Sequence, residues 1–272
     1  MTKKCVIIIP IYIKDFNFDT YMSINNTYTL YKDIYDIYFI CSKTLNISKY
    51  KLYFPIAKYK FFDSKFFVSQ PAYSYLMLNY LFYKEFLNYE YMLIVQTDAY
   101  IFNGYSLEYF MNKKYPLLGA LVGWCWGENL FKHNFIYAYK NNLTLNEYLQ
   151  QFNNCTLFLN GGLTLRKIDI LYHILKGFYS KLINKMNDES YYFNDENLDF
   201  CEDYQIFNLL NNINVLDNLL IKDIIRFSIE TNIINYPSFE KYSIIDTCKE
   251  LNIIPFGAHK VQYEFIENIK YI

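Results

Sequence analysis

Asp98 stands where an apolar run gives out. Met92-Leu93-Ile94-Val95 leads through Gln96-Thr97 to the acid. A carboxylate at the end of a buried strand is a hard oxygen donor suited to Mg2+ or Mn2+. A turn or helix N-cap aspartate is the competing reading. Glu202-Asp203 places two acids side by side at the head of a helical pattern. One of them can act as a general base, although acids are also favoured in a first turn by the helix dipole. Adjacent helical positions point about 100° apart, so one acid of the pair is expected to face substrate, and Asp203 is the choice. Asn160-Gly161-Gly162 separates two apolar pieces. Consecutive glycines let a backbone approach a ligand closely, and Asn-Gly is equally a hairpin turn. His259, just after Gly257-Ala258, is a candidate metal ligand or a structural histidine.

The elements that must position these residues alternate. Strands are expected over 5–9, closed by Pro10 with Ile11-Tyr12 at its carboxyl end, over 37–41, over 53–57 and over 91–96. Helices are expected over 18–31 and over 73–87, the latter with Pro71 near its first turn. Residues 117–127 read as a strand and a loop, 128–152 as irregular, 168–182 as an amphipathic helix and 187–197 as a loop. Arg226-Phe-Ser-Ile-Glu230 reads as a strand or turn. This alternation predicts an α/β fold with a mostly parallel central sheet flanked by helices, in which ligands bind beyond the carboxyl ends of the strands. The first strand, the second and Asp98 then open onto one edge. A single domain is expected.

Composition excludes several classes. With 26 Lys plus Arg against 27 Asp plus Glu, no polyanion is indicated and nucleic acid is not an expected partner. Cysteines 5, 41, 125, 155, 201 and 248 form no CxxC, which points to reduced thiols in a cytoplasmic protein rather than a zinc ribbon or a disulfide framework. The apolar run before Pro10 is too short for a signal sequence, and no stretch reaches the roughly 18 apolar residues of a membrane span. The abundance of Tyr, Phe, Ile, Asn and Lys fits AT-rich coding. Against that background the two arginines, 166 and 226, stand out.

Taken together, these segments resemble a bacterial glycosyltransferase family of GT-A type, the domain of unknown function DUF5672. The resemblance rests on Val6-Ile-Ile-Ile-Pro-Ile-Tyr12, residues 73–86 with 89–102, Asn160-Gly-Gly-Leu-Thr-Leu-Arg-Lys167, Glu202-Asp203, Arg226-Phe-Ser-Ile-Glu230 and Pro255-Phe-Gly-Ala-His259. It is poor over 103–155. It implies a GT-A, Rossmann-like fold with a nucleotide-binding half (1–102) and an acceptor or catalytic half (103–272). The activity implied is transfer of a sugar from a nucleotide-diphosphate sugar, a UDP-sugar by expectation, to a glycan or lipid-linked saccharide acceptor. The implied setting is bacterial surface polysaccharide synthesis at the inner face of the cytoplasmic membrane, with peripheral membrane association.

Carried over position by position, the resemblance makes Asp98 and His259 contacts of a divalent metal, Mn2+ or Mg2+. It makes Glu202-Asp203 the catalytic acid pair. Asn160, Gly161 and Gly162 would border the sugar. Pro10, Ile11 and Tyr12 would border base and ribose, with Gln96 and Thr97 beside Asp98 on the nucleotide. The GT-A metal motif has two acids, Asp-x-Asp, where this chain has Thr97-Asp98-Ala99-Tyr100. A base acting on the acceptor hydroxyl implies inversion at the anomeric carbon. The expectation is that Asp98, Asp203 and His259 line one cavity. The competing functions are a non-catalytic nucleotide- or glycan-binding module and a sugar nucleotidyltransferase, though the loop after the first strand lacks the latter's glycines.

Overall fold

Strand β1 (Lys3–Pro10) is buried from Cys5 onward, as a strand covered on both faces must be. The computed structural model describes residues 3–102, 104–125, 136–151, 155–186, 201–230 and 244–261. After β1 come α1 (Phe18–Tyr31), β2 (Asp36–Ser42), α2 (Ser48–Tyr53), β3 (Lys58–Phe62), α3 (Gln70–Leu78), α4 (Tyr80–Lys84) and β4 (Tyr89–Val95). The chain continues through β5 (Tyr100–Ile101), α5 (Leu107–Asn112), β6 (Leu117–Leu118), β7 (Leu121–Cys125), α6 (Leu145–Leu149), β8 (Cys155–Leu159) and β9 (Leu163–Lys167). It ends with α7 (Ile168–Met186), α8 (Glu202–Asn212), α9 (Ile221–Phe227), β10 (Ser228–Glu230), α10 (Ile244–Leu251) and β11 (Gly257–His259).

The expected α/β class, with a mostly parallel sheet flanked by helices, is what the structure has. Contacts divide the chain into two compact units, each built from two stretches of sequence. One comprises Met1–Thr97 with Leu165–Leu209; the other comprises Asp98–Thr164 with Leu210–Ile272.

In the first unit the strands run in the order β3-β2-β1-β4-β9. β1 is parallel to β2 and to β4, with Ile9 opposite Phe39 and Ile8 opposite Ile94. Helix α7 packs on α4 and β4. The edge strand β3 carries Lys58 and Lys60, which discourage further pairing. The first residues of four neighbouring strands are tied together at one end of this sheet. Asp36 of β2 accepts from Lys3 of β1, Lys58 of β3 and the Tyr89 hydroxyl of β4.

Local chemistry explains the helix ends. Asn17 caps α1 by accepting from the Thr20 N–H, and Ser69 caps α3 by accepting from the Ala72 N–H, with Pro71 in the first turn. The single helix expected over 73–87 is interrupted. Asn79 is extended, with φ −82° and ψ 116°, and its side chain caps α4 through the Leu81 N–H. The strand expected over 53–57 is also displaced. Tyr53 ends helix α2, and the strand begins at Lys58. Tyr50 and Phe54 are fully buried in an aromatic cluster with Phe16 and Phe39. Their burial holds the helical turn where a short apolar run would equally suit a strand.

In the second unit β11 lies between β10, parallel, and β5, antiparallel. β7 and β8 form an antiparallel pair, Leu121 opposite Leu159. Phe110, Phe227 and Phe256 make its aromatic core, the last two rings stacked at 5.3 Å and 14°. Within the stretch expected to be irregular, residues 136–140 and α6 are helical. Asn160-Gly161-Gly162 does not close a hairpin: β8 pairs with β7 while β9 lies beside β4. The loop expected over 187–197 falls outside the described residues.

The strand-start clamp yields a pH prediction. Burial opposes the Asp36 charge, but the bonds from Lys3, Lys58 and Tyr89 outweigh it and hold the carboxyl well below its usual range. A depressed folded pKa gives stability that is present above the unfolded value and lost as pH falls through the folded one. Asp36→Asn is therefore expected to be less stable than wild type at neutral pH. The gap should narrow progressively as pH falls below about 5, as read by thermal unfolding of the two proteins from neutral to acid pH.

Candidate functional site

The second unit builds a site around Asp98. Tyr100 pairs with Ala258 and Ile101 with Gly257 across the antiparallel β5–β11 register. Continuing that register puts Asp98 opposite Lys260, next to His259. Two contacts fix the arrangement. The Val261 N–H donates to the Asp98 carbonyl at 2.8 Å, and His259 Nε2 lies 3.3 Å from Asp98 Oδ1. Between them Lys260 adopts a left-handed backbone, φ 55°, which turns the chain directly after His259.

The two side chains sit in different surroundings. His259 is 5% exposed and Asp98 51% exposed, so the imidazole is fixed by packing while the carboxylate meets solvent. Burial alone raises the Asp98 carboxyl pKa. The hydrogen bond and charge of His259, helped by Lys260, overcome this and hold it below the usual range.

Gly162 closes the other side of the imidazole. A Cβ at this position would lie 2.1 Å from both Cδ2 and Nε2 of His259, so the absence of a side chain is what lets the backbone meet the ring. The Asn160 side chain shapes the turn by accepting from the Gly162 N–H at 2.7 Å. Asp98, Asn160, Gly162 and His259, separate in sequence, thus form one cluster.

Glu202 and Asp203 fall in the first unit, at the start of α8. They differ as adjacent helical positions should. Glu202 is buried, accepting from Ser74 Oγ at 3.0 Å and from Arg166 Nη2 at 3.3 Å. Arg166 is itself 1% exposed and donates to the Tyr83 hydroxyl at 2.8 Å. Burial works against its charge, but Tyr83 and Glu202 more than offset this and keep the guanidinium charged. Asp203 is partly exposed and accepts from the Tyr204 N–H. The buried acid is committed to Arg166; Asp203 is the one that meets solvent. The sequence marked Arg166 by rarity alone. Tyr83, which accepts from Arg166, and Ser74, which donates to Glu202, carried no signal, because tyrosine is common here and serine unremarkable in a helix.

The remaining nucleotide candidates also lie in the first unit. Pro10 and Ile11 are buried, and Tyr12 is 40% exposed, with its ring against Phe67 and Tyr73. Gln96 and Thr97 are partly exposed just beyond β4. A cavity of about 410 Å³ opens elsewhere, lined by Lys3, Lys4, Lys32, Asp33 and Asp36 among others. It sits at the amino end of β1, the opposite end from Tyr12, and contains none of the candidate residues.

The sequence profile of a family described as "Protein of unknown function (DUF5672)" matches residues 57–243. No curated protein matches the chain. Among solved structures, core-mannan synthase A from Aspergillus fumigatus, in an Mn/GDP form, is similar at 13% identity and TM-score 0.43, over 76% of this chain and 69% of that one. The mannosyltransferase Ktr4p from S. cerevisiae, in complex with GDP, gives 14% identity and TM-score 0.45 over 76% of this chain and 66% of that one. A glycosyltransferase involved in glycosylating the major capsid of PBCV-1 gives 11% identity and TM-score 0.45 over 98% of both chains. Likenesses at this level carry no activity over to this chain.

Two substitutions test the site's construction. Glu202→Ala leaves Arg166 buried without its carboxylate, and is expected to cost about 3–5 kcal/mol in denaturant unfolding. Gly162→Ala forces its new methyl into the His259 ring. The expected result is a displaced His259 imidazole resonance in NMR spectra, while the far-UV circular dichroism stays that of wild type.

Proposed function

The chain belongs to the DUF5672 family, and from that premise we propose that it is a GT-A glycosyltransferase, moving a sugar from a nucleotide-diphosphate donor to a glycan or lipid-linked saccharide. The observation that carries this reading is the Asp98–His259 pair, set against the Gly162 backbone. Its donor atoms lie 3.3 Å apart, close enough that both could hold one divalent cation. Carboxylate oxygen and imidazole nitrogen are both suitable ligands. Among the described residues no group of three or more His, Cys, Asp or Glu gathers for a metal, so diphosphate oxygens and water would complete the shell. Mg2+ or Mn2+ held there would offset the negative charge that grows on the departing diphosphate.

The chain's own residues supply the rest. Asp203 takes the proton of the acceptor hydroxyl as it attacks, and attack on the face opposite the leaving group inverts the anomeric centre. Glu202, held by Arg166 and Ser74, keeps the start of α8 in place. Asn160, Gly161 and Gly162 border the donor sugar. Pro10, Ile11 and Tyr12 border base and ribose, Tyr12 offering its exposed ring, with Gln96 and Thr97 beside the diphosphate. Residues 1–102 serve the nucleotide, for which a UDP-sugar is the proposed donor, and 103–272 the acceptor and catalysis. The proposed setting is bacterial surface polysaccharide synthesis at the cytoplasmic face of the membrane, with peripheral association. Among the described residues no helix is long and apolar enough to cross a membrane.

One feature favours a second reading. Thr97-Asp98-Ala99-Tyr100 has one acid where the GT-A pattern has two, as suits a module that binds nucleotide or glycan without turnover. A panel of nucleotide sugars with Mn2+ separates the two. The transferase reading expects release of nucleoside diphosphate, abolished in Asp98→Ala and reduced about 10²–10⁴-fold in Asp203→Asn. It also expects a product linkage of inverted configuration by NMR. Saturable donor binding with no diphosphate release across the panel establishes the binding module instead.

A further inference from the structure

Arg226, the other arginine, has surroundings that the transferase chemistry does not use. It lies in the last turn of the short helix α9 in the second unit, and Phe256 donates its N–H to the Arg226 carbonyl at 2.7 Å. Its guanidinium lies 5.5 Å from the centre of the Tyr105 ring and 5.6 Å from that of Tyr139. Nε donates to the Tyr139 hydroxyl and Nη1 to the Tyr109 hydroxyl, both at 3.3 Å, and the Tyr105 hydroxyl also engages it. Burial works against the charge, yet Tyr139 and Tyr109 more than compensate, so the group stays cationic. Phenol rings and hydroxyls orient a guanidinium without cancelling its charge.

The acid that shares Tyr109 with Arg226 is already engaged. Asp223 is fully buried and accepts from Tyr109 at 2.9 Å and Tyr115 at 2.8 Å, while Lys113 Nζ lies 3.5 Å away. One carboxylate therefore faces two cations, Lys113 directly and Arg226 only through the Tyr109 hydroxyl. No carboxylate forms a salt bridge with Arg226 among the described residues. Of the five N–H donors of a guanidinium, the three tyrosines engage at most three. Among the described residues, what remains is a partly exposed planar cation, fixed in orientation, with donors not engaged by the tyrosines and Lys113 beside the one buried carboxylate. That is the arrangement for two-point recognition of an oxyanion, which arginine achieves and lysine does not.

We propose that Arg226, framed by Tyr105, Tyr109 and Tyr139, is a binding site for an oxyanion carried by a ligand, either a phosphate or a carboxylate group. Phe256, bonded to Arg226, precedes His259 by three residues, about 10 Å of extended chain. The contacts of the Arg226 side chain are with Tyr105, Tyr109 and Tyr139, not with Asp98 or His259. The site stands apart from the transferase reading, and a chain with no turnover would still bind through it.

The test is thermal unfolding of the full chain, without divalent metal, in rising inorganic phosphate or glucuronate, each against chloride at matched ionic strength. The site predicts a saturable rise in Tm with at least one of the two anions: phosphate assigns a phosphorylated ligand and glucuronate an acidic sugar. The rise should survive Asp98→Asn, shrink in Arg226→Lys and vanish in Arg226→Gln. If Arg226→Gln does not fold, Tyr139→Phe, which keeps the ring and removes the hydroxyl that fixes Nε, should weaken the apparent affinity several-fold. The proposal is overturned if wild type shows no rise beyond chloride with either anion. It is equally overturned if the rise is lost in Asp98→Asn or is undiminished in the Arg226 and Tyr139 variants.

Discussion

The first unit depends on a charge it has buried. Arg166 leaves β9 with 1% of its surface exposed, and an isolated guanidinium in such a place costs several kcal/mol. The structure must bring a carboxylate to it, and that carboxylate is Glu202. The requirement fixes where α8 begins, because Glu202 is its first residue. Ser74 of α3 and Tyr83 of α4 complete the bonds, so one ion pair ties a strand to three helices. A pair of this kind contributes little net stability compared with an apolar replacement, and its value lies in specifying one arrangement. Here the arrangement specified is the position of the next residue. Asp203 follows by one step and about 100° of helical turn, which carries it from the buried face toward solvent.

The second unit solves a related problem with backbone rather than charge. Asp98 and His259 are brought together by a ladder of two register pairs, Gly257 with Ile101 and Ala258 with Tyr100, continued by the Val261 bond to Asp98. So short a ladder needs close approach, and Gly257 supplies it: a Cβ there would meet Leu163 at 2.5 Å and the Tyr100 carbonyl at 2.6 Å. Gly162 does the same for the imidazole. Two glycines and one left-handed lysine are what it takes for residues 161 positions apart (259 less 98) to meet.

What was legible in the sequence follows from how local its causes are. Helix α1 occupies the predicted residues 18–31, since its cap and its spacing lie within one segment. The buried strands β1, β2 and β4 were legible because a strand covered on both faces announces itself as an apolar run. The failures have non-local causes. β3 is an edge strand whose pattern is half polar, and the apolar run before it was claimed by an aromatic cluster that brings Phe16, Phe39, Tyr50 and Phe54 together. The break at Asn79 turned on a side chain choosing to cap rather than to continue a helix. Asn160-Gly161-Gly162 has the local chemistry of a hairpin, but its flanking strands find partners elsewhere, and no window of sequence contains those partners. Among candidate site residues the separation of Glu202 from Asp203 was legible from helical geometry. The identity of the group that buries Glu202 was hinted at only by the scarcity of arginine.

On the proposed transferase reading, the single acid of Thr97-Asp98-Ala99-Tyr100 would acquire a physical meaning beside His259. Two carboxylates on a divalent cation cancel its charge before any substrate arrives. One carboxylate with a neutral imidazole would leave a net charge of about +1 at the same centre, with Lys260 a further cation nearby. Such a ligand set would attract a diphosphate more strongly through charge while fixing it with fewer protein bonds. It also remains satisfied when no cation is held, because Asp98 and His259 then bond to each other. An Asp-x-Asp pair has no such resting state, since two adjacent carboxylates repel. On that reading an imidazole in place of a second acid would suit a site that assembles around its substrate, and Gly162 is the feature that gives the imidazole room to be there.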